Sequence, residues 1–163
     1  MDLKKIRAFV FDVDGVFSNN NVYLHPNGDM MRTMNIKDGF AIKYTKEQGF
    51  PIAIISGGFS ESVKKRFNNL GITDVFIKSV NKMDDYKHFV EKHKLNDNEI
   101  LYMGDDLPDY QVMKTVGIAS CPANAVDEIK AISDYISDKD GGEGCVRDII
   151  EKVLKAQNKW VKL

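Results

Sequence analysis

Cysteine is scarce in this chain: only Cys121 and Cys145 occur among 163 residues. Two cysteines at that separation make neither a disulfide framework nor a metal-ligand pattern, so reduced, buried thiols are the expected state. An excess of either charge is missing too. Lys and Arg number 23 against 24 Asp and Glu, a formal net charge of −1. That balance gives no electrostatic footprint for nucleic acid, and no basic amphipathic stretch suits a membrane surface. Long apolar runs are absent, and no segment approaches the roughly 18 residues needed to span a bilayer. The opening MDLKKIRAFVFDVDG does not read as a secretory signal, because its short apolar run meets Asp12 and Asp14 at once. The expected location is the cytoplasm. His25, His88 and His93 share no metal-ligand spacing, so surface or packing roles are expected for them.

What is present is an ordinary globular composition, 43% hydrophobic and 29% charged. The length predicts one domain over residues 1–163, able to bury a core without covalent staples. Four apolar runs rich in β formers stand out: Ile6–Phe11, Pro51–Ser56, Asp74–Lys78 and Glu99–Met103. Val116–Ala119 and Tyr135–Ser137 are weaker. Continuous apolar runs suit strands buried on both faces of a parallel sheet. Helical spacing fills the intervals at Gly39–Gln48, Ser60–Leu70, Asp84–Lys94, Asp109–Thr115 and Ala125–Ala131, with a last helix at Cys145–Ala156. Alternation of this kind predicts an α/β domain built from βαβ units. One stretch breaks the rhythm. Asn21–Ile36 has two β-like arms around Pro26-Asn27-Gly28-Asp29, which predicts a hairpin. The basic tail 155–163 is either a frayed helix end or a docked segment.

In an open parallel sheet, ligands bind beyond the carboxyl ends of the strands. Asp12 and Asp14 follow the first run, Ser56 and Gly57 the second, Lys78 and Lys82 the third, and Asp105, Asp106 and Asp109 the fourth. Singly, each is an ordinary turn, cap or surface residue. Jointly they place carboxylates, a hydroxyl and an amine on one rim. Clustered carboxylates repel unless a hard cation sits among them, and magnesium prefers oxygen ligands. The hydroxyl, glycine amides and ammonium are what a phosphate dianion needs. A metal, a phosphate cradle and one free carboxylate suit phosphoryl transfer.

These residues resemble the four motifs of the haloacid dehalogenase superfamily, in order: FDVDGVFSN, AIISG, Lys82 within VNKMDDY, and GDDLPD. The resemblance spans nearly the whole chain. It implies the Rossmann-like, doubly wound sheet of that superfamily. It also implies that Asp12 attacks phosphorus, and that Asp14 protonates the leaving alcohol and then deprotonates water. Ser56, the Gly57 amide and Lys82 would hold the phosphoryl oxygens. Magnesium would be bound by Asp12, the Asp14 carbonyl and Asp105, with Asp106 and Asp109 in support.

Many members carry a cap domain over the site. Here the interval from Gly15 to Pro51 has room only for the hairpin and one helix, and that from Lys82 to Asp105 only for one helix and one strand. No cap is expected. The second half, with GDDLPDYQVMKTVGIASCPANAV and GGEGCVRDIIEKVL, resembles the capless 3-deoxy-D-manno-octulosonate 8-phosphate (Kdo 8-phosphate) phosphatase family, with Bacteroides-like members nearest. That family implies lipopolysaccharide precursor synthesis and a homotetramer that closes its sites with neighbouring subunits, here through the hairpin and the tail. A sister branch acts on 2-keto-3-deoxy-nononate 9-phosphate and commonly has an acidic residue where this chain has Gly58, so the eight-carbon acid is favoured. Glu143 in GGEG, where octulosonate enzymes often have Arg, leaves the nine-carbon acid as the alternative. Arg32, Lys37 and Arg66 are candidates for the sugar-acid carboxylate. A non-catalytic oligomeric module would be expected to have lost the nucleophile. A response-regulator receiver accepts phosphate on a later strand.

Overall fold

Alternation along the apolar runs decides the architecture. In the computed structural model, which describes residues 1–161, strand β1 is Ala8–Phe11. Phe9 and Phe11 face one core and Ala8 and Val10 the other. The same division holds in β4 (Ile52–Ser56) and β6 (Ile100–Met103). Ile52, Ile54, Leu101 and Met103 join the first core, while Ala53, Ile55, Ile100 and Tyr102 join the second. A strand with two apolar faces needs helices on both sides. Helices α1 (Ile36–Glu47), α2 (Glu61–Asn69) and α6 (Cys145–Ala156) cover the Phe9 face. Helices α3 (Lys82–His93), α4 (Tyr110–Met113) and α5 (Asp127–Lys130) cover the other. Both β1 phenylalanines are fully buried, so truncating either to alanine should cost about 3–5 kcal/mol.

With β5 (Asp74–Ile77), β7 (Ile118–Cys121) and β8 (Tyr135–Ile136), the sheet has six parallel strands ordered β5-β4-β1-β6-β7-β8. The chain winds outward from β1 one way through β4 and β5, then returns to its other side with β6. The reversal opens a crevice between the carboxyl ends of β1 and β6, where Phe11 pairs with Met103. Asp12 and Asp105 lie just past those ends.

The expected doubly wound sheet is present, with small displacements of its elements. The strand read at Val116–Ala119 lies at Ile118–Cys121, because Val116 still donates back to Val112 in the turn closing α4. The helix read from Gly39 begins at Ile36, capped by the Asn35 side chain accepting from the Lys37 amide. Asn35 and Ile36 therefore leave the hairpin, whose paired arms are only β2 (Tyr23–Leu24) and β3 (Met30–Met31). Helix α6 has no side-chain cap of its own, since Gly144 precedes it. Asp38 of α1 does that work from outside, accepting from the Arg147 amide at 2.7 Å.

The tail is docked as far as it is described. Trp160 meets Phe40 and Tyr44 edge-on, and the Tyr44 hydroxyl donates to the Lys159 carbonyl. Lys162 and Leu163 lie outside the described residues. Cys121 and Cys145 are buried free thiols. Among the described residues no helix is long and apolar enough to cross a membrane.

Candidate active site

The turn after β1 is wound tightly on Val13, whose carbonyl accepts from the amides of Val16, Phe17 and Ser18. Val13, Val16 and Phe17 are buried beneath it. This anchors the loop and leaves Asp12 and Asp14 facing the crevice. Gly15 takes φ +87°, and a Cβ there would lie 1.9 Å from Asp105 Oδ2. Only glycine allows the two carboxylate-bearing loops to come this close.

Lys82 is the first residue of α3, and its ammonium reaches inward between two carboxylates. It lies 2.9 Å from Asp12 Oδ1 and 2.7 Å from Asp109 Oδ1. Asp109 is fully engaged. Lys82 and the Tyr102 hydroxyl donate to its Oδ1, and the amides of Asp105 and Asp106 to its Oδ2. It is a bracket that fixes the GDDLPD loop and aims the lysine. Asp106 is exposed and accepts from the Leu107 amide at the loop's short 3-10 turn.

Asp12 and Asp105 differ from Asp109. Both are buried, and Oδ1 of each has no hydrogen-bond donor; Lys82 approaches Asp12 Oδ1 as a charge but off the hydrogen-bond direction. Burial first, and Asp109 next, push the Asp12 carboxyl well above its ordinary range against the pull of Lys82. Burial, then Asp109 and Asp106, push Asp105 up to about 7. Burial also works against the Lys82 charge, but Asp12 and Asp109 outweigh it and hold the ammonium. Asp12, Asp105 and Asp109 can bring carboxylate oxygens within 4.8 Å of one another. Since both Asp109 oxygens are occupied, the orphaned oxygens of Asp12 and Asp105 are the ones a hard divalent cation would complete. The residues present fit such a cation.

Ser56 ends β4, buried, with its hydroxyl accepting from the Gly58 amide. Asp12, Asp14, Ser56, Gly57, Lys82 and Asp105 all line one open cleft of about 670 Å³, which also takes in Asp106, Asp109 and Arg32. That size suits a sugar-phosphate-sized molecule. A larger neighbouring groove runs beside Phe59 and Met31 but holds none of these carboxylates. The cleft's distribution of charge is the more informative feature.

Of the three residues expected at a sugar acid, only Arg32 reaches the cleft. It grips Asp14, Nε to Oδ1 at 2.6 Å and Nη2 to Oδ2 at 2.9 Å. Lys37 is exposed on the first turn of α1. Arg66 lies across Gly39, its Nη2 2.5 Å from where a Cβ would stand. Within one chain neither lines the cleft. Sequence reasoning missed Tyr102 as a support for Asp109, and the pairing of Arg32 with Asp14.

Comparison with known proteins identifies the family. A family profile described as haloacid dehalogenase-like hydrolase matches residues 68–149. The 3-deoxy-D-manno-octulosonate 8-phosphate phosphatase of Escherichia coli K12 is 33% identical over 96% of this chain and 83% of its own length. The crystal structure of the Yersinia pestis phosphatase of that name superposes with a TM-score of 0.94, at 30% identity, covering 96% of this chain and 85% of that one. The Moraxella catarrhalis phosphatase, solved with a magnesium ion, a phosphate ion and a Kdo molecule, gives 0.92 at 33% identity, covering 96% and 90%. The chain belongs to the haloacid dehalogenase-like hydrolases and, within them, to the Kdo 8-phosphate phosphatase family.

Proposed function

We propose that this protein is a magnesium-dependent phosphoric monoester hydrolase that converts Kdo 8-phosphate to Kdo and inorganic phosphate, in the cytoplasm, during lipopolysaccharide precursor synthesis. The observation that carries the reading is the pair of buried, donor-less oxygens on Asp12 and Asp105 beside the Lys82 ammonium. The named activity of relatives that align over nearly the whole chain supports the substrate.

The positions support the following chemistry. An Asp12 carboxylate oxygen attacks phosphorus in line with the C8 oxygen, forming an aspartyl-phosphate as the ester P–O bond breaks. The Asp14 carboxylic acid delivers a proton to the departing C8 oxygen. Water, deprotonated by the Asp14 carboxylate, then attacks the same phosphorus; phosphate leaves and Asp12 is regenerated. Lys82, the Ser56 hydroxyl and the Gly57 amide hold the phosphoryl oxygens and offset their charge. Magnesium, held by Asp12, Asp105 and the Asp14 carbonyl, would supply further neutralisation between an anionic nucleophile and an anionic ester.

We further propose a homotetramer. Tyr23 is 58% exposed, Leu24 78% and Met31 49%. An apolar hairpin left in water calls for a partner surface, and the hairpin borders the cleft through Met30 and Val22. Light scattering across a dilution series, run beside activity, tests this; a fully active monomer at every concentration would rule it out. The substrate is tested by phosphate release from Kdo 8-phosphate and from 2-keto-3-deoxy-nononate 9-phosphate, with and without magnesium. Preference for the nine-carbon ester would overturn the assignment and direct attention to Glu143.

A further inference from the structure

We propose that Arg32 and Gly58 form one unit that fixes the orientation of the Asp14 carboxylate, making Arg32 a positioning residue for the step in which that carboxylate takes a proton from the attacking water. The inference rests on the acid–base role given to Asp14 above. Three of the five guanidinium donors are committed. Two hold the Asp14 carboxylate as a fork, and Nη1 donates to the Met30 carbonyl at 2.6 Å. The Arg32 side chain is only 4% exposed, although it leaves a hairpin whose neighbouring Met31 is 49% exposed. It has therefore turned in from the surface toward Asp14.

Asp14 needs such a support. Its side chain is 37% exposed at the edge of an open cleft, and its other contact is a 3.3 Å hydrogen bond from the Ser18 hydroxyl. A carboxylate on one hydroxyl contact is free to turn about its terminal bond. A planar guanidinium bonded to both oxygens sets the distance and the plane together. Position 58 makes room for that fork. A Cβ there would lie 2.8 Å from Arg32 Nη2 and 3.0 Å from Asp14 Oδ2, pressing on both members of the pair. Glycine at 58 thus acts as clearance, beyond any effect of lacking a side chain for substrate. The pair also ties the hairpin to the catalytic loop, so the segment that borders the cleft and the acid–base residue are held in register.

The alternative is that Arg32 serves the substrate carboxylate directly, and the two roles separate kinetically. Arg32→Ala, Gly58→Ala and the double variant are assayed at saturating magnesium on Kdo 8-phosphate and on ribose 5-phosphate, a primary alkyl phosphate with no carboxylate. As a unit, each single change lowers kcat on both esters about 10–100-fold, part of the 10²–10⁴ that acid–base catalysis supplies. The double variant is then no more than about threefold worse than the worse single one, because interacting sites do not add. Added guanidinium restores part of the Arg32→Ala loss, and Arg32→Lys recovers less than the native fork. Should Arg32→Ala not fold, Gly58→Ala and Arg32→Gln carry the same test, with melting curves confirming the fold. An unchanged kcat with a raised KM on Kdo 8-phosphate alone would overturn the proposal, as would single-variant losses that multiply independently. A wild-type enzyme inactive on Kdo 8-phosphate but active on ribose 5-phosphate would remove the substrate assignment while leaving this test readable.

Discussion

Two buried aspartates stand at opposite ends of the sheet, Asp74 at the start of β5 and Asp12 just past the end of β1. They are almost equally hidden, at 7% and 6% exposure. Asp74 is completed by its own chain: Lys92 donates to one oxygen and His93 to the other. Burial pushes its carboxyl up, but those two hydrogen bonds outweigh burial and hold it below the ordinary range. Asp12 keeps an oxygen without a donor, and burial wins there. Equal burial with opposite sign separates scaffold from site. A charge satisfied within the fold needs nothing further, whereas one left incomplete is completed by a ligand.

The largest effect expected from this contrast is on Asp12. Asp12→Asn should lower turnover more than about 10³-fold, the scale for an essential catalytic group, while removing an unsatisfied buried charge. Phosphate release and a melting curve on protein free of deamidation check both halves; near-normal turnover would sink the covalent mechanism. The metal comes next. Chelation should abolish activity and magnesium should restore it. Magnesium at 100 times its dissociation constant should add about 2.7 kcal/mol to the stability of the native chain. That gain should vanish in Asp105→Ala and persist in Asp74→Asn. Calorimetric melts with and without magnesium read it, and an equal gain in the Asp105 variant would place the cation elsewhere.

Much of this arrangement was legible beforehand, and the parts that were not share a cause. The strands could be read because they are buried on both faces, so Phe9, Ile54 and Leu101 had no polar alternates to blur them. The rim could be read because each motif follows a strand. GDDLPD, however, offers three carboxylates, and only folding shows that Asp109 spends both oxygens on neighbours while Asp105 keeps one free. Tyr102 could have been placed from the alternation of Ile-Leu-Tyr-Met, which puts it with Ile100 on the α3 side. Arg32 could not. A hairpin with two paired residues per arm carries no periodic signal for the direction in which its flank folds back. Lys37 and Arg66 were chosen by charge alone, and charge does not say which way a helix turns its face.

Asp74 should matter to stability and leave turnover alone. Asp74→Asn weakens the hydrogen bonds that Lys92 and His93 donate to a charged carboxylate, each worth about 1.5–3 kcal/mol, but Lys92 is about half exposed and regains water. A net loss of about 2–3 kcal/mol is expected. Because the folded Asp74 carboxyl sits below its unfolded value, its contribution is present above the unfolded pKa and disappears as pH falls through the folded one. Denaturant titrations near pH 7, pH 4 and pH 2 should therefore show the difference between variant and wild type nearly intact at about pH 4 and shrinking only toward the most acid value. A variant with unaltered stability near pH 7 would mean the pair contributes nothing.

The smallest effect concerns Asp38, which stands between the two cases. One oxygen caps α6 through the Arg147 amide; the other is buried without a partner. Burial pushes the carboxyl up from 3.8 to about 6, the Arg147 amide only partly opposing it. A raised folded value on an acid means that the folded chain binds the proton more tightly than the unfolded chain. Asp38 therefore favours folding at low pH, and that advantage is lost as pH rises from about 4 to about 6. Between about pH 4.5 and pH 7.5 the loss should be at most about 2 kcal/mol, since each tenfold difference in proton affinity between the folded and unfolded chain is worth about 1.4 kcal/mol. Asp38→Asn keeps an oxygen for the cap and removes the titration. Its amide incurs a burial penalty of its own, but that penalty does not vary with pH and cancels when the two pH values are compared. The stability of Asp38→Asn relative to wild type should thus improve by up to about 2 kcal/mol from acid to neutral pH. Urea denaturation of both proteins at the two pH values measures the difference. A relative stability that stays flat, or falls, would show that the orphaned oxygen finds water in solution and that Asp38 belongs with Asp74 as a satisfied structural charge.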